Sequence, residues 1–250
     1  MNKPIIICLV SIIFYFSAIG QDLGERSITD KKEKTIELFN VLKSDTSIRH
    51  GRYNKFYKKA LVESGNYHQN EKDSVWLKYN LKGKVLRSRT EWDKGKEAGI
   101  WEFYDSDGIV FQKVDMTEKK LLYTREKFKD VYKTRIIKDG KIDSAILDRP
   151  PVFIGDKRTI KKHISKVELP GSHSDSGYPI SYNVIVSFWV TKEGDCEGFQ
   201  LRAGYTDDVN RDILEAVKTL PRTWLPAIVN GENVTAEYSI NFGVNGFSLF

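Results

Sequence analysis

Two stretches of this chain repeat each other at an offset of 25 residues. Trp76-Leu77-Lys78-Tyr79 is followed by Trp101-Glu102-Phe103-Tyr104, and Tyr67 has its counterpart in Trp92 at the same offset. An earlier copy begins at Gly51-Arg52-Tyr53, 23 residues before the equivalent position of the next unit. A unit this short cannot bury a hydrophobic face by itself, so successive units must stack on one another.

Each unit has the same internal order. An aromatic strand leads into a glycine-containing turn, Lys82-Gly83-Lys84-Val85 or Asp107-Gly108-Ile109-Val110, and a second strand then leads into a polar loop such as Gly95-Lys96-Glu97-Ala98-Gly99. In the first unit Asn70 and Ser74 stand in place of two glycines. Glycine supplies the positive φ of tight hairpins, so the pattern predicts an antiparallel β-meander whose aromatic side chains stack from unit to unit. Core packing is favoured over a ligand-binding platform for these rings.

Over about residues 50 to 117 this pattern resembles the MORN-repeat variant of bacterial envelope proteins, whose relatives are often labelled antitoxin-like. The resemblance implies a β-meander of MORN-like hairpin repeats. Lys138-Asp139-Gly140-Lys141 is a further hairpin signal. We therefore expect the repeat region to span residues 50–147 and to end before Arg149-Pro150-Pro151, which interrupts regular structure.

The last hundred residues have a different pattern. Alternation predicts a strand from Asn183 to Val190 and a long final strand from Asn233 to Val244. Helical spacing predicts a helix from Asn210 to Leu220. The expected details are a cap by Asp207 or Asp208, a turn at Lys192-Glu193-Gly194-Asp195, and an earlier helix that contains Ile160, Ile164 and Val167. The whole chain is thus predicted to be α+β, with a small C-terminal antiparallel sheet covered on one face by two helices.

The landmarks of residues 151–250 are Tyr178-Pro179, the segment Leu220-Pro221-Arg222-Thr223-Trp224-Leu225-Pro226-Ala227, and Asn230-Gly231. In this order they resemble the TonB C-terminal domain, which pairs with outer-membrane receptors of Gram-negative bacteria. The resemblance implies that an envelope protein, such as an outer-membrane receptor peptide, adds a strand to the final strand. The candidate partner-binding residues are Val234, Ala236, Tyr238, Ile240 and Phe242. The alternative is that a terminal segment or a second copy of the protein already occupies this edge.

The first twenty residues have the features of a signal peptide. Lys3 is followed by an apolar run, and Ala18-Ile19-Gly20 predicts cleavage before Gln21. The run from Ile5 to Ile19 is shorter than the roughly 20 residues that span a bilayer. We expect an exported chain, periplasmic or associated with the outer envelope, with no membrane span after cleavage.

Residues 21–49 are expected to form a helical lead-in to the repeats. Asp30 and Glu33 have the spacing of a capping box, and Ile36, Phe39 and Leu42 recur at helical spacing. The sequence therefore predicts a helix from Lys31 to Lys43.

No catalytic, cofactor-binding or metal-binding residues are predicted. The four histidines share no ligand spacing. Cys196 lies between Asp195 and Glu197, which disfavour a thiolate. Asp105-Ser106-Asp107-Gly108 is similar to the start of a calcium loop but lacks its later ligands, so a turn is favoured. Positive and negative charges alternate along the chain, and a net charge of +6 does not indicate a nucleic-acid partner.

These patterns favour an exported envelope protein, not an enzyme, with a protein-binding role for its TonB-like module and repeat scaffold. The alternative is a membrane-anchored TonB-type energy transducer for outer-membrane transport, which needs an uncleaved N-terminus and a long spacer. A cytoplasmic antitoxin or enzyme accessory would fit the repeats but conflicts with the signal peptide. Mass spectrometry of the mature N-terminus separates these alternatives; the sequence leaves the oligomeric state open.

Overall fold

The computed structural model of the protein describes residues 22–128, 133–156, 159–160, 183–220, 223–243 and 246–249. These ranges contain antiparallel strands in three sheets and one α-helix, an α+β architecture that begins with a strand meander. The first sheet contains β1 (Leu23–Asp30), β2 (Thr35–Leu42), β3 (Arg49–Tyr57), β4 (Ala60–His68), β5 (Glu71–Tyr79), β6 (Leu86–Asp93), β7 (Lys96–Tyr104), β8 (Val110–Asp115) and β9 (Lys120–Thr124). The remaining elements are β10 (Lys133–Lys138), β11 (Lys141–Ile146), β12 (Val152–Phe153), β13 (Asn183–Val190), β14 (Cys196–Ala203), α1 (Asp207–Lys218), β15 (Trp224–Leu225), β16 (Ala227–Val229), β17 (Glu232–Gly243) and β18 (Gly246–Leu249).

The nine strands of the first sheet follow one another in chain order, and the internal repeat is visible in their hydrogen bonds. Trp76 Nε1 donates to the carbonyl oxygen of Asn66 at 3.0 Å, and Trp101 Nε1 donates to that of Glu91 at 2.9 Å. Each bond joins residues ten positions apart, and the donor and acceptor of the second bond each lie 25 residues after those of the first. The predicted meander is therefore present, and equivalent tryptophans hold equivalent positions.

The turns repeat in the same way. The side-chain oxygen of Asn80 accepts a hydrogen bond from the backbone N–H of Lys84 at 3.0 Å. Asp105 Oδ1 accepts one from the N–H of Ile109, also at 3.0 Å. Asn and Asp favour turns because their side chains can bond to the following backbone. Asp105 is thus a turn residue, as the comparison of the two units predicts.

The predicted helical lead-in over residues 21–49 is wrong, because β1 and β2 form a hairpin there. Asp30 Oδ1 does accept from the N–H of Glu33, at 2.9 Å, but this bond closes a turn, and Lys34 at φ 56° reverses the chain. Phe39 and Val41, two residues apart, are the buried side chains of β2. Capping boxes and Asp-led turns share the same local bond, so the tertiary pairing with β3 decides between them.

The predicted extension of the meander to residue 147 is also wrong. The β10–β11 hairpin forms as expected, with Lys138 opposite Lys141, but it joins the second sheet. Ile136 and Ile137 pair with Ala236 and Thr235 of β17. A hairpin signal identifies the two strands that pair locally and carries no information on the third strand beside them.

The second sheet has the order β11-β10-β17-β13-β14. Ile213 and Val217 of α1 pack on its apolar face, in a core that includes Val184, Val186 and Phe188. The helix begins at Asp207, and its N-cap is Thr206 instead of Asp207 or Asp208. Of the other predicted helix, only Ile160 lies within the described residues, and it is buried; Ile164 and Val167 lie outside them.

The two large sheets are joined through the short β12–β15 sheet. Val152, Ile154 and Leu225 pack against Trp101 and Val114 of the meander. Buried Gln112 of β8 completes the junction with two hydrogen bonds. Its Nε2 donates to the carbonyl of Phe153 at 2.9 Å, and its Oε1 accepts from the N–H of Gly155 at 2.8 Å. Both polar ends of this buried amide are therefore satisfied, as burial requires.

Candidate binding site

The predicted partner-binding residues do not lie on a free edge. β17 pairs with β13 on one side and with β10 and β18 on the other, and its first residues, Glu232–Val234, pair with β16. Ala236, Ile240 and Phe242 are 0% exposed and Tyr238 is 6% exposed, while Val234 packs against a separate buried cluster. The strand needs few charged residues to prevent pairing with another chain, because strands of the same chain already lie beside it. The alternative holds: segments of the same chain occupy this edge.

The aromatic side chains of the repeats form part of the core. The ring centroids of Tyr53 and Trp76 are 5.3 Å apart, and Trp76 is only 1% exposed. The ammonium of Lys72 lies 4.0 Å from the Trp76 ring centroid, and burial holds its pKa below the usual lysine value. Arg49 lies 4.3 Å above Phe39 in the same manner. Cationic side chains thus lie over the rings of Trp76 and Phe39, so these ring faces are not open to a ligand.

Strand β9 is an edge with exposed apolar side chains. Among the described strands it pairs with β8 alone. Lys113 pairs with Tyr123 and Val114 with Leu121, so Leu122 is the extra residue of a β-bulge. Leu122 is 48% exposed and Tyr123 is 45% exposed. Bulges are frequent at sheet edges, where they redirect side chains, and this one presents two large apolar groups together.

Three other edge strands, β1, β11 and β14, carry more charge. Between Lys120 and Arg125, β9 has no charged residue. β1, β11 and β14 are interrupted by charged side chains, which oppose strand addition: Glu25, Arg26, Asp30, Lys141, Asp143, Glu197 and Arg202. β9 is therefore the least protected of these four edges.

A cleft of about 440 Å³ opens where β9 ends, between the meander and β12. Phe111 and Phe153 form apolar walls. The full lining consists of Phe111, Gln112, Thr124, Glu126, Phe153, Gly155 and Asp156. Gln112, one of the lining residues, is hydrogen-bonded to the backbone of Phe153 and Gly155 across the junction. These bonds fix the position of its side chain in the cleft.

Two carboxylates line this cleft. Burial raises the pKa of Asp156 above the usual aspartate value, although Arg87 Nη2 lies 3.2 Å from its Oδ2 and acts in the opposite direction. The backbone N–H of Glu126 donates to Thr124 Oγ1 at 3.0 Å, which fixes the chain as it leaves β9. The cleft is thus lined by two aromatic side chains and two acidic residues.

The cleft residues are not recognisable from the sequence. Leu121-Leu122-Tyr123 is a run of apolar residues in a polar context, which is the one local signal of an exposed edge. Gln112, Phe153 and Asp156 come from separate segments that only the tertiary fold brings together.

The remaining features considered in the sequence are Cys196, metal ligands and membrane-spanning segments. Cys196 is buried in the core of the second sheet, away from solvent. No group of three or more potential metal ligands occurs within the described part of the chain. None of the helices that the structure describes is both long and apolar enough to cross a bilayer.

Comparison with protein-family models, with curated proteins and with solved structures gives no match to this chain.

Proposed function

We propose that this chain is an exported, non-catalytic protein of the cell envelope that binds another polypeptide along β9, beside the junction cleft. The observation that carries the proposal is the unprotected edge of β9, where Leu122 and Tyr123 are exposed together next to a cleft. Export rests on the signal-like features of the first twenty residues.

Strand addition suits this edge physically. An extended segment that pairs with β9 gains backbone hydrogen bonds, each about 0.5–1.5 kcal/mol net. Burying an apolar side chain completely contributes roughly 1.5–3 kcal/mol, so covering the half-exposed Leu122 and Tyr123 adds a fraction of that each. The partner is therefore held by apolar contacts in addition to backbone pairing.

The relationship to MORN-type repeats and to the TonB C-terminal domain is part of the same proposal. The 25-residue repetition of hydrogen bonds supports the first, and the β14-β13-β17 order with α1 on one face supports the second. The edge that the TonB resemblance assigns to a receptor peptide is occupied here by β10, β16 and β18. We therefore assign the partner to β9 instead of to β17.

The proposal is tested by recovery of partners from the envelope fraction of the producing cells, with tagged wild-type protein and two variants. Leu122→Lys places a charge on β9, whereas Ile28→Lys places the same charge on β1, where the native side chain is similarly exposed. We expect Leu122→Lys to lose the specific partner and Ile28→Lys to retain it, with unchanged circular dichroism for both. Equal recovery by the two variants would contradict binding at β9.

A further inference from the structure

We propose that three neighbouring hairpin turns at one end of the meander form a binding surface for an extended acidic segment of a polypeptide. The turns are residues 31–34, 58–59 and 80–85, and we call them the basic turns. They join strands β1 to β6, and β7 and β8 lie between these strands and β9. The surface is therefore separate from the edge of β9 and does not depend on binding there.

The basic turns lie side by side because the meander is antiparallel and its strands follow one another in chain order. The backbone N–H of Lys58 donates to the carbonyl oxygen of Lys34 at 3.0 Å, which ties the first turn to the second. A Cβ added to Gly83 would lie 2.9 Å from the carbonyl oxygen of Leu61, so the third turn packs closely against the strand that follows the second. The three turns thus form one continuous row.

Positive charge is concentrated in this row. The basic turns contain one acidic residue, Glu33, and seven exposed lysines: Lys31, Lys32, Lys34, Lys58, Lys59, Lys82 and Lys84. The four turns at the opposite end of the meander, residues 43–48, 69–70, 94–95 and 116–119, contain three lysines, one aspartate and one glutamate. The excess of lysine is therefore a property of one end of the sheet.

The lysines of the basic turns lack the partners that lysines on the strands have. Lys55 pairs with Glu37 at 3.0 Å, and Lys113 pairs with Glu102 at 2.7 Å. None of the seven turn lysines forms an ion pair with any residue in the ranges that the structure describes. Like charges held close together oppose folding, and an anionic ligand would relieve that repulsion.

The shape of the surface favours a chain-like ligand. Neighbouring strands are about 4.8 Å apart, so successive basic turns are about 9.5 Å apart. In a polyproline II segment every third residue faces the same side, at a repeat of about 9.3 Å. An acidic residue at every third position would therefore meet one turn after another. A bilayer presents a plane of head groups, which a single row of turns contacts along one line only.

Leu81 adds an apolar contact to the third turn. It is 65% exposed, the largest exposed fraction among the exposed large hydrophobic residues of the described chain. An apolar side chain of the bound segment, next to an acidic one, would cover it and remove apolar surface from water.

The test measures binding of fluorescein-labelled synthetic peptides to the purified protein by fluorescence anisotropy at low and high salt. One peptide has glutamate at every third position between threonine and serine. A second has the same composition with its glutamates in one block, and a third has glutamine in place of every glutamate. We expect the first peptide to bind most tightly, the second more weakly and the third not at all. High salt should weaken binding of both acidic peptides, because the lysines are exposed.

Charge reversal locates the site. The first variant has one reversal in each basic turn: Lys32→Glu, Lys59→Glu and Lys82→Glu. The matched control has the same total change at exposed lysines in or beside two other turns: Lys94→Glu, Lys138→Glu and Lys141→Glu. We expect the first variant to bind the first peptide roughly tenfold or more weakly than wild type, and the control to stay within about twofold. Circular dichroism checks the fold, and glutamine at the same three positions of the basic turns gives a milder variant with a smaller loss.

Four results would overturn the inference. Equal loss of affinity in the two variants would show that total charge alone governs binding. Unchanged affinity of the first variant would place the site elsewhere. Equal binding of the regular and the block peptide by wild type would contradict the match between the ligand and the row of turns. Binding to vesicles that contain phosphatidylglycerol, without binding of any acidic peptide, would assign the basic turns to a membrane surface. Each of these results leaves the proposal for β9 unaffected.

Discussion

At the residue scale, the outer face of the second sheet is organised by Glu237. Arg135 Nη1 lies 3.1 Å from Glu237 Oε1, and Arg202 bonds to the same carboxylate while its Nε donates to Ser187 Oγ at 2.8 Å. Burial of Glu237 opposes its ionisation, but the hydrogen bonds and charges of its neighbours outweigh this effect, so its pKa lies below the usual glutamate value. Three strands are thus tied together by one carboxylate.

This network predicts a pH dependence of stability. A carboxylate whose pKa is lower in the folded state stabilises the fold above its unfolded pKa of about 4.3 and loses that contribution as the pH falls through the folded value. We expect Glu237→Gln to lower the melting temperature at pH 7 and to have a diminishing effect below about pH 4. Thermal melts of wild type and variant between pH 3 and pH 7 provide the measurement. A difference that stays constant over this range would show that the ionised network contributes nothing.

A second residue-scale feature is the left-handed backbone that precedes each repeat aromatic. Gly51 at φ 92°, Ser74 at φ 58° and Gly99 at φ 59° each lie two residues before the ring of their unit. Serine is strained in this region, where glycine is not. The replacement of glycine by serine therefore places backbone strain at Ser74, near the start of β5.

We expect Ser74→Gly to raise the free energy of unfolding by about 0.5 kcal/mol, since relief of roughly 1–2 kcal/mol of strain is partly offset by the entropy of glycine. Gly99→Ser is the reverse change and should destabilise by more than the backbone strain alone, because a Cβ at this position would overlap the Glu91 carboxylate. Urea unfolding of the two variants measures both effects. Destabilisation by Ser74→Gly would mean that the Ser74 hydroxyl, which donates to Asp73 at 2.8 Å, outweighs the strain.

At the scale of elements, the sequence predicts individual strands and helices well, but it says much less about which strands from distant parts of the chain pair with one another. β13, α1 and β17 are predictable because each shows sustained alternation or helical spacing. The β1–β2 hairpin is not, since its turn has the side-chain bond of a helix cap. The location of β17 depends on contacts with β10 and β18, which local periodicity does not encode.

Amide hydrogen exchange tests the internal position of β17. Ile240–Phe242 pair with β13 on one side and with β18 on the other, so we expect their amides to exchange more slowly than the amides of β14, which pairs with β13 alone among the described strands. Exchange of β17 at the rate of β14 would restore it as an open edge. The measurement needs only the purified protein.

At the scale of the whole molecule, the two large sheets are coupled. Trp224 packs in the core of the second sheet, 4.7 Å from the ring centroid of Tyr238, and the adjacent Leu225 packs against the meander cluster of Trp101. The sequence marks Trp224 and Leu225 as part of one landmark segment, but no sequence pattern predicts that this segment connects the two sheets. The cleft escapes prediction for the same reason, since it exists only where Gln112 and Phe153 meet.

Trp224→Ala should lower the free energy of unfolding by about 3–5 kcal/mol, as truncation of a large buried aromatic side chain does. The coupling through Leu225 predicts that the loss affects both sheets in one calorimetric transition. Tryptophan fluorescence, in which Trp76 and Trp101 report on the meander, follows the same melt. Unfolding of the second sheet with the meander signal unchanged would contradict the coupling.

The central claim, that a polypeptide partner pairs with β9, is tested most directly by site-specific photo-crosslinking in the producing cells. A benzophenone amino acid is placed at Leu122 and, as the matched control, at Ile28 on the edge of β1, where the native side chain is also half exposed. The account predicts a discrete adduct with one envelope protein from position 122, absent from position 28. An adduct from position 28 and none from position 122 would contradict the claim.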